Sequence, residues 1–68
     1  MQLKYIGDGY RVSFIPNHVY EAQKIHDDLG DGYAIFDEGD DWYRYGVNYV
    51  KKNFIEVAEE VENIRKAV

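Results

Sequence analysis

The chain has 68 residues, 46% of them apolar, and its 13 acidic and eight basic residues give it a formal net charge of −5. A chain of this length forms one domain and buries only about 60% of the surface that its unfolded form exposes. Without cysteine, it has no disulfide to support a small core and no thiolate for metal binding or nucleophilic attack. No apolar run after Met1 has the length of a signal peptide or membrane helix, so we expect a cytoplasmic protein with no membrane contact.

The first 46 residues are rich in side chains that favour β-structure, and turn residues divide them at short intervals. Val and Ile together number 13, Leu occurs twice, and 11 residues are aromatic. The sequence predicts strands over residues 2–6, 11–15, 18–26, 33–37 and 42–46. It also predicts two hairpins, which turn through residues 28–32 and 38–41. Short strands at this spacing favour a mainly β domain, a partly open barrel of five or six strands, because a closed sheet leaves no long edge exposed.

The C-terminal third carries a different pattern, in which apolar residues recur at alternating intervals of three and four. In one interpretation, a helix runs from about residue 48 to 67 and packs its apolar seam on the sheet or on a second copy. In the other, which we favour, Phe54–Val57 is a closing strand and only residues 58–67 are helical, because three of those four residues are apolar. We therefore expect a barrel over residues 1–57, a C-terminal α-helix in a tail over 58–68, and a monomer rather than a homodimer.

Five short stretches, taken in order, resemble a known group of proteins. They are LKYIG at 3–7, VYEA at 19–22, DGYAIFDE at 31–38, WYRY at 42–45 and KNFIEV at 52–57. Together they resemble the small bacterial and phage proteins with a Src-homology-3-like (SH3-like) barrel, although the link over 46–51 is longer than in that family and lacks its proline. The resemblance implies an SH3-like fold and a non-enzymatic accessory protein of bacterial or prophage origin. It supplies no functional residues.

Two stretches, DWY at 41–43 and VNYV at 47–50, are similar to parts of the eukaryotic proline-peptide-binding version of this fold. There, a tryptophan and an asparagine–tyrosine pair line a groove for an extended peptide. Only five residues separate Trp42 from Asn48 here, too few for the hairpin that lies between them in that family. The N-terminal signature of that family is also absent, so we interpret this similarity as coincidental.

Catalytic and metal sites receive little support from the sequence. His18 and His26 lie on one predicted strand, roughly 26 Å apart at the usual rise per residue, and Ser13 is the only aliphatic hydroxyl. The acidic loops offer oxygen ligands of the kind that Ca²⁺ takes, but a loop starting at Asp27 or Asp28 lacks the EF-hand spacing. We therefore predict no enzymatic activity, no metal site and no cofactor.

The acidic residues are concentrated in one segment. Residues 27–41 contain seven of them and no lysine or arginine, whereas each flank carries a net charge of +1. Such a segment repels phosphate backbones, so we expect no nucleic-acid binding. Some of the seven tyrosines should lie at the surface, because each buried hydroxyl needs a partner. Aromatic rings beside carboxylates suit a basic protein or peptide. The candidate partner-binding residues are Asp28, Asp31, Asp40, Asp41, Trp42, Tyr43 and Tyr49.

An alternative function is an acidic mimic of nucleic acid that occupies a basic DNA-binding protein. A mimic needs carboxylates spread along one face, whereas here the acidity is confined to 15 residues. The two predicted turns also bracket the strand at 33–37, so a barrel places them at opposite ends of that strand. We expect the acidic segment to divide into two smaller patches.

Overall fold

A computed structural model describes residues 1–7 and 13–58 and the backbone of residues 64 and 65. The strands in this part of the chain are β1 Gln2–Tyr5, β2 Val19–Asp27, β3 Gly30–Phe36, β4 Trp42–Gly46, β5 Phe54–Val57 and β6 Ile64–Arg65. A helix, α1 Val47–Asn53, connects β4 to β5. The prediction of a mainly β domain is confirmed.

The strands form one sheet in the order β4–β3–β2–β1–β5. The nine-residue strand β2 links its two halves, because its first residues pair with β1 and its later residues pair with β3, both antiparallel. β6 runs parallel to the start of β2. Within the described residues the sheet is open, since β4 and β5 lie at its two ends. The helix α1 contacts both end strands and β3.

Four of the predicted strands are present, and both predicted hairpins are confirmed. The first hairpin turns through Asp28 and Leu29 alone, because residues 30–32 already pair with β2. Gly30 follows this turn with a φ of 95°, a left-handed conformation that glycine adopts without steric cost. The second hairpin turns over residues 37–41.

The strand predicted at 11–15 is wrong for residues 13–15, which form no regular structure; residues 11 and 12 lie outside the described part. Side chains and turns, rather than a neighbouring strand, take the hydrogen bonds of this segment. The Ile15 N–H donates to the Tyr20 hydroxyl at 2.8 Å. The Ser13 carbonyl accepts from the Glu38 N–H at 2.9 Å.

The closing strand is confirmed at Phe54–Val57, which pairs antiparallel with β1. The alternative of one helix from about 48 to 67 is wrong, because α1 ends at Asn53 and Phe54 has an extended backbone. The predicted tail helix is wrong at residues 64 and 65, where the backbone pairs with β2 as β6. The other residues of that helix beyond Ala58 lie outside the described residues.

The core is built largely from aromatic rings and has Phe14 at its centre. Phe14 is 1% exposed although it lies in the irregular segment before β2. Its ring contacts four others, with centroid separations of 4.9 to 5.4 Å. These rings are Tyr5 of β1, Tyr20 of β2, Tyr45 of β4 and Phe54 of β5. Leu3, Ala22, Ile35 and Val50 complete the cluster.

A tight turn before β2 positions the irregular segment. The His18 N–H donates to the Ile15 carbonyl at 3.1 Å, and Asn17 has a φ of 70°. Proline followed by a residue with positive φ is the pattern of a type II turn. The Asn17 N–H also donates to the Tyr5 carbonyl at 2.7 Å, so the turn is attached to β1.

We predict that Phe14→Leu lowers the free energy of unfolding by about 2 kcal/mol, because it removes ring contacts with four elements and leaves a cavity. Phe36→Leu is the matched control, since the Phe36 ring contacts the Trp42 ring outside the central cluster. Urea unfolding followed by circular dichroism measures both changes. Equal losses for the two variants would contradict the central role of Phe14.

The turn generates a second prediction. Asn17→Ala should lower the free energy of unfolding by about 1 kcal/mol, because a β-carbon without a polar group is unfavourable at positive φ. Asn17→Gly should cost less than half as much, since glycine adopts this φ without strain. The same urea unfolding experiment compares the two, and an Asn17→Gly variant less stable than Asn17→Ala would rule out backbone strain as the cause.

Candidate functional site

The seven candidate residues divide between two turns and the helix. Asp28 and Asp31 lie at the β2–β3 turn, and Tyr49 lies on α1. The others are at the β3–β4 turn and the start of β4: Asp40, Asp41, Trp42 and Tyr43. The seven-residue strand β3 separates the two turns by roughly 20 Å at the usual rise per residue. The acidic segment therefore forms two patches.

At the β2–β3 turn, much of the negative charge already has a basic partner. Arg44 Nε donates to Asp27 Oδ2 at 2.7 Å, and Arg44 Nη2 donates to Asp27 Oδ1 and to the Gly30 carbonyl, both at 3.0 Å. The guanidinium crosses β3 directly over Gly32, where a β-carbon would lie 3.0 Å from it. His26 Nδ1 lies 2.8 Å from Asp31 Oδ1. This end of the sheet is thus a weak candidate for a basic partner.

The Arg44–Asp27 contact changes the titration of both groups. The hydrogen bond from Arg44 is the main reason that the pKa of Asp27 lies below its ordinary value of 3.8, with a smaller lowering from the Leu29 N–H. The same bond raises the pKa of Arg44. The charge pattern of the sequence does not predict this ion pair, because Asp27 and Arg44 are 17 residues apart. They lie on β2 and β4, which are separated by β3.

At the β3–β4 turn, the carboxylate of Asp37 is buried and organises the loop. Asp37 is 2% exposed. Its Oδ1 accepts from the Gly39 N–H at 2.9 Å, and its Oδ2 accepts from the Tyr45 hydroxyl at 3.3 Å. Its backbone closes the turn through bonds with Asp40 and Asp41. Asp37 is not among the site residues predicted from the sequence. An aspartate two residues before a glycine nevertheless often accepts a hydrogen bond from the backbone two residues on, which stabilises a turn.

Glu38 joins this turn to the core. Its Oε2 accepts from the buried Tyr20 hydroxyl at 2.7 Å, and its N–H donates to Ser13. His18 Nδ1 lies 3.9 Å from the same carboxylate. Because Glu38 is held by these contacts, the exposed carboxylates of the turn are those of Asp40 and Asp41.

A pocket of about 420 Å³ opens beside this turn, and we call it the turn pocket. It is lined by Ser13, Asp37, Gly39, Tyr43, Arg44 and Tyr45. The pKa of Tyr45 is raised to about 12, mainly by burial and to a smaller extent by the nearby Asp37 carboxylate, and the Ser13 hydrogen bond lowers it in part. The Tyr45 hydroxyl therefore stays protonated at neutral pH and donates to Asp37. Tyr43 is 54% exposed and offers a ring at the surface.

The remaining two candidates do not line the turn pocket. Trp42 packs its ring on Phe36 at a centroid separation of 5.6 Å. Neighbouring side chains of a strand point to opposite faces, so Trp42 and Tyr43 lie on different sides of the sheet. Tyr49 stacks on Tyr45 at 5.5 Å and meets the edge of Phe54 at 6.3 Å. Of the seven candidates, Tyr43 lines the turn pocket, and Asp40 and Asp41 directly follow its lining residue Gly39 in the turn.

The described part of the chain has neither a cluster of metal ligands nor a membrane-spanning helix. Residues 1–7, 13–58 and 64–65 contain no group of three or more metal-ligating side chains placed to hold an ion. Within the same ranges, no helix has the length and apolar character needed to cross a bilayer.

Comparison of the chain with family models, curated proteins and solved structures found no match.

The Arg44–Asp27 pair predicts a pH dependence. Because the folded-state pKa of Asp27 is lowered, the pair stabilises the fold above the unfolded-state pKa, and this stabilisation is lost as the pH falls through the lowered value. Titration of side-chain carboxyl signals by nuclear magnetic resonance (NMR) should place Asp27 below 3.8 in the wild type and close to it in Arg44→Gln. An unchanged pKa of Asp27 in Arg44→Gln would contradict the assignment.

Proposed function

We propose that this chain is a non-enzymatic binding module that holds a lysine or arginine side chain of a basic partner protein at the turn pocket. The observation that carries the proposal is the position of the buried Asp37 carboxylate beside an exposed tyrosine ring and the exposed carboxylates of Asp40 and Asp41. A cation there meets an aromatic face and several negative charges at once.

The electrostatics of the turn pocket favour a cation. Asp37 lies in the protein interior, where its charge is screened less than that of an exposed carboxylate. Arg44 lines the same pocket, but its guanidinium is bound to Asp27 and to the Gly30 carbonyl. The positive group of Arg44 is therefore engaged at the β2–β3 turn rather than at Asp37.

The expected strength of the interaction is modest. A cation over an exposed aromatic ring gains about 0.5–1 kcal/mol, and an exposed ion pair gains about 0.2–1 kcal/mol. One basic side chain should therefore bind weakly. A partner segment with two or more basic residues should bind more tightly, because Asp40 and Asp41 lie next to the pocket in the same turn.

We also propose that the sheet is a partly open SH3-like barrel and that the protein is an accessory module of bacterial or prophage origin. The strand order β4–β3–β2–β1–β5, with β2 shared between the two halves, supports the fold. The sequence resemblance supports the origin. The nucleic-acid mimic has less support, because the acidic residues lie in two patches and Asp27 is paired with Arg44.

The proposal is tested with a short peptide containing two arginines and a control peptide with citrulline in their place. NMR titration should show the arginine peptide shifting the amides of residues 39–45, and the citrulline peptide leaving them unchanged. Tyr43→Ala should weaken binding about two- to fivefold, and the double variant Asp40→Asn with Asp41→Asn about two- to thirtyfold.

The matched control removes the same charge at the other turn, by Asp28→Asn with Asp31→Asn. It should change the affinity less than twofold. If both double variants weaken binding equally, the attraction is a general effect of net charge and the turn pocket is not the site. Absence of shifts at residues 39–45 would also reject the proposal.

A further inference from the structure

A second pocket, also of about 420 Å³, lies between α1 and the β2–β3 hairpin, and we call it the helix pocket. Two lysines line it, Lys24 from β2 and Lys51 from α1. Neither lysine is among the candidate partner-binding residues predicted from the sequence. They lie 27 positions apart in the sequence.

The register of the sheet and the period of the helix bring these residues together. Lys24 pairs with Tyr33 across β2 and β3, so the two side chains share one face of the sheet. Val47 and Lys51 are four residues apart on α1 and therefore share one face of the helix. All four residues line the helix pocket.

The helix pocket has a local excess of positive charge. Among the described residues, neither Lys24 nor Lys51 forms an ion pair. The carboxylate at the pocket belongs to Asp31, and its Oδ1 is already 2.8 Å from His26 Nδ1. Two unpaired ammonium groups around one cavity are notable in a chain with a net charge of −5, because the acidic residues offer many alternative partners.

The walls of the helix pocket are partly apolar. Val47 and Tyr33 line it and are half-buried. Tyr33 also packs against the core, which fixes the position of its ring. Both lysines are exposed, and their flexible stems allow the ammonium groups to reach a ligand without a backbone change.

We propose that the helix pocket binds a small organic anion, with a carboxylate or phosphate group attached to an apolar body. The anionic group contacts Lys24 and Lys51, and the apolar body packs on Tyr33 and Val47. This site is distinct from the turn pocket in its residues and in the sign of the charge it accepts. The two sites share none of their lining residues.

Benzoate and phenyl phosphate are suitable probes, titrated separately at constant ionic strength and pH 7 and followed by NMR amide shifts. Both should shift residues 24–25, 31–33 and 47–51 and leave residues 39–45 unchanged. Acetate and inorganic phosphate carry the charge without the ring, and benzyl alcohol carries the ring without the charge. Each of these three should bind at least about fivefold more weakly, if the ring and the charge both contribute.

The variants test the two lysines directly. Lys24→Gln and Lys51→Gln should each weaken phenyl phosphate binding about threefold, the effect of losing one exposed ion contact. Lys52→Gln is the matched control, because Lys52 is exposed on the same helix and does not line the pocket. It should leave the affinity unchanged.

Three results would overturn the proposal. One is the absence of saturable shifts up to about 0.2 M benzoate or phenyl phosphate, the weak limit of the affinity expected for two exposed ion contacts and a ring. Another is an equal loss of affinity in Lys52→Gln and Lys51→Gln, which indicates general charge attraction. The last is equal binding of inorganic phosphate and phenyl phosphate, which would show that the apolar body of the ligand does not contribute to binding. None of these measurements uses the arginine peptide. The helix-pocket proposal can therefore be rejected while the turn-pocket proposal stands, and the reverse is also possible.

Discussion

The packing of Phe14 is the constraint on which the rest of the domain depends. The sheet is open within the described residues, with β4 and β5 at its ends, so strand pairing alone does not bring these ends together. The Phe14 ring contacts Tyr45 of β4 and Phe54 of β5 at once. Together with the Tyr49 ring of α1, which contacts the same two rings, this side chain from an irregular segment supplies the connection that a closed barrel would obtain from hydrogen bonds between strands. For a chain of 68 residues, this one ring is a large part of the core.

The same segment connects the core to the turn pocket. Ile15 and Ser13, on either side of Phe14, bind the Tyr20 hydroxyl and the Glu38 N–H, and Tyr20 in turn donates to Glu38. Ser13 is therefore held in place as one wall of the pocket. A wall fixed in this way would lower the cost of ordering the site if the proposed basic partner binds there. One hydrogen-bonded network therefore joins the backbone on either side of the buried Phe14 to the surface turn that carries the pocket.

The sequence pattern predicted the strands that pair with a neighbouring strand in the chain. It was less informative where contacts between distant residues determine the structure. Alternation and turn residues predicted β2, β3 and β4, which form consecutive hairpins. Spacing by three and four was continuous through Phe54 and favoured a longer helix, whereas the apolar run Phe54–Val57 favoured the closing strand that pairs with β1. The strand predicted at residues 11–15 is wrong at 13–15, where backbone groups bind Tyr20 and Glu38 instead of a neighbouring strand. In the candidate site, exposed Asp40, Asp41 and Tyr43 could be selected from composition, whereas the burial of Asp37 required the fold.

The position of Arg44 has a consequence for how the molecule meets other charged molecules. By binding Asp27 across Gly32, Arg44 reduces the negative charge at the β2–β3 turn, and Lys24 and Lys51 reduce it further. The β3–β4 turn carries the carboxylates of Asp37, Glu38, Asp40 and Asp41. Among the described residues, acidic side chains therefore outnumber basic ones more strongly at the β3–β4 end of β3 than at its β2–β3 end. A charged partner approaching through solution experiences a torque before contact, so the charge arrangement sets its orientation and association rate as well as its final affinity.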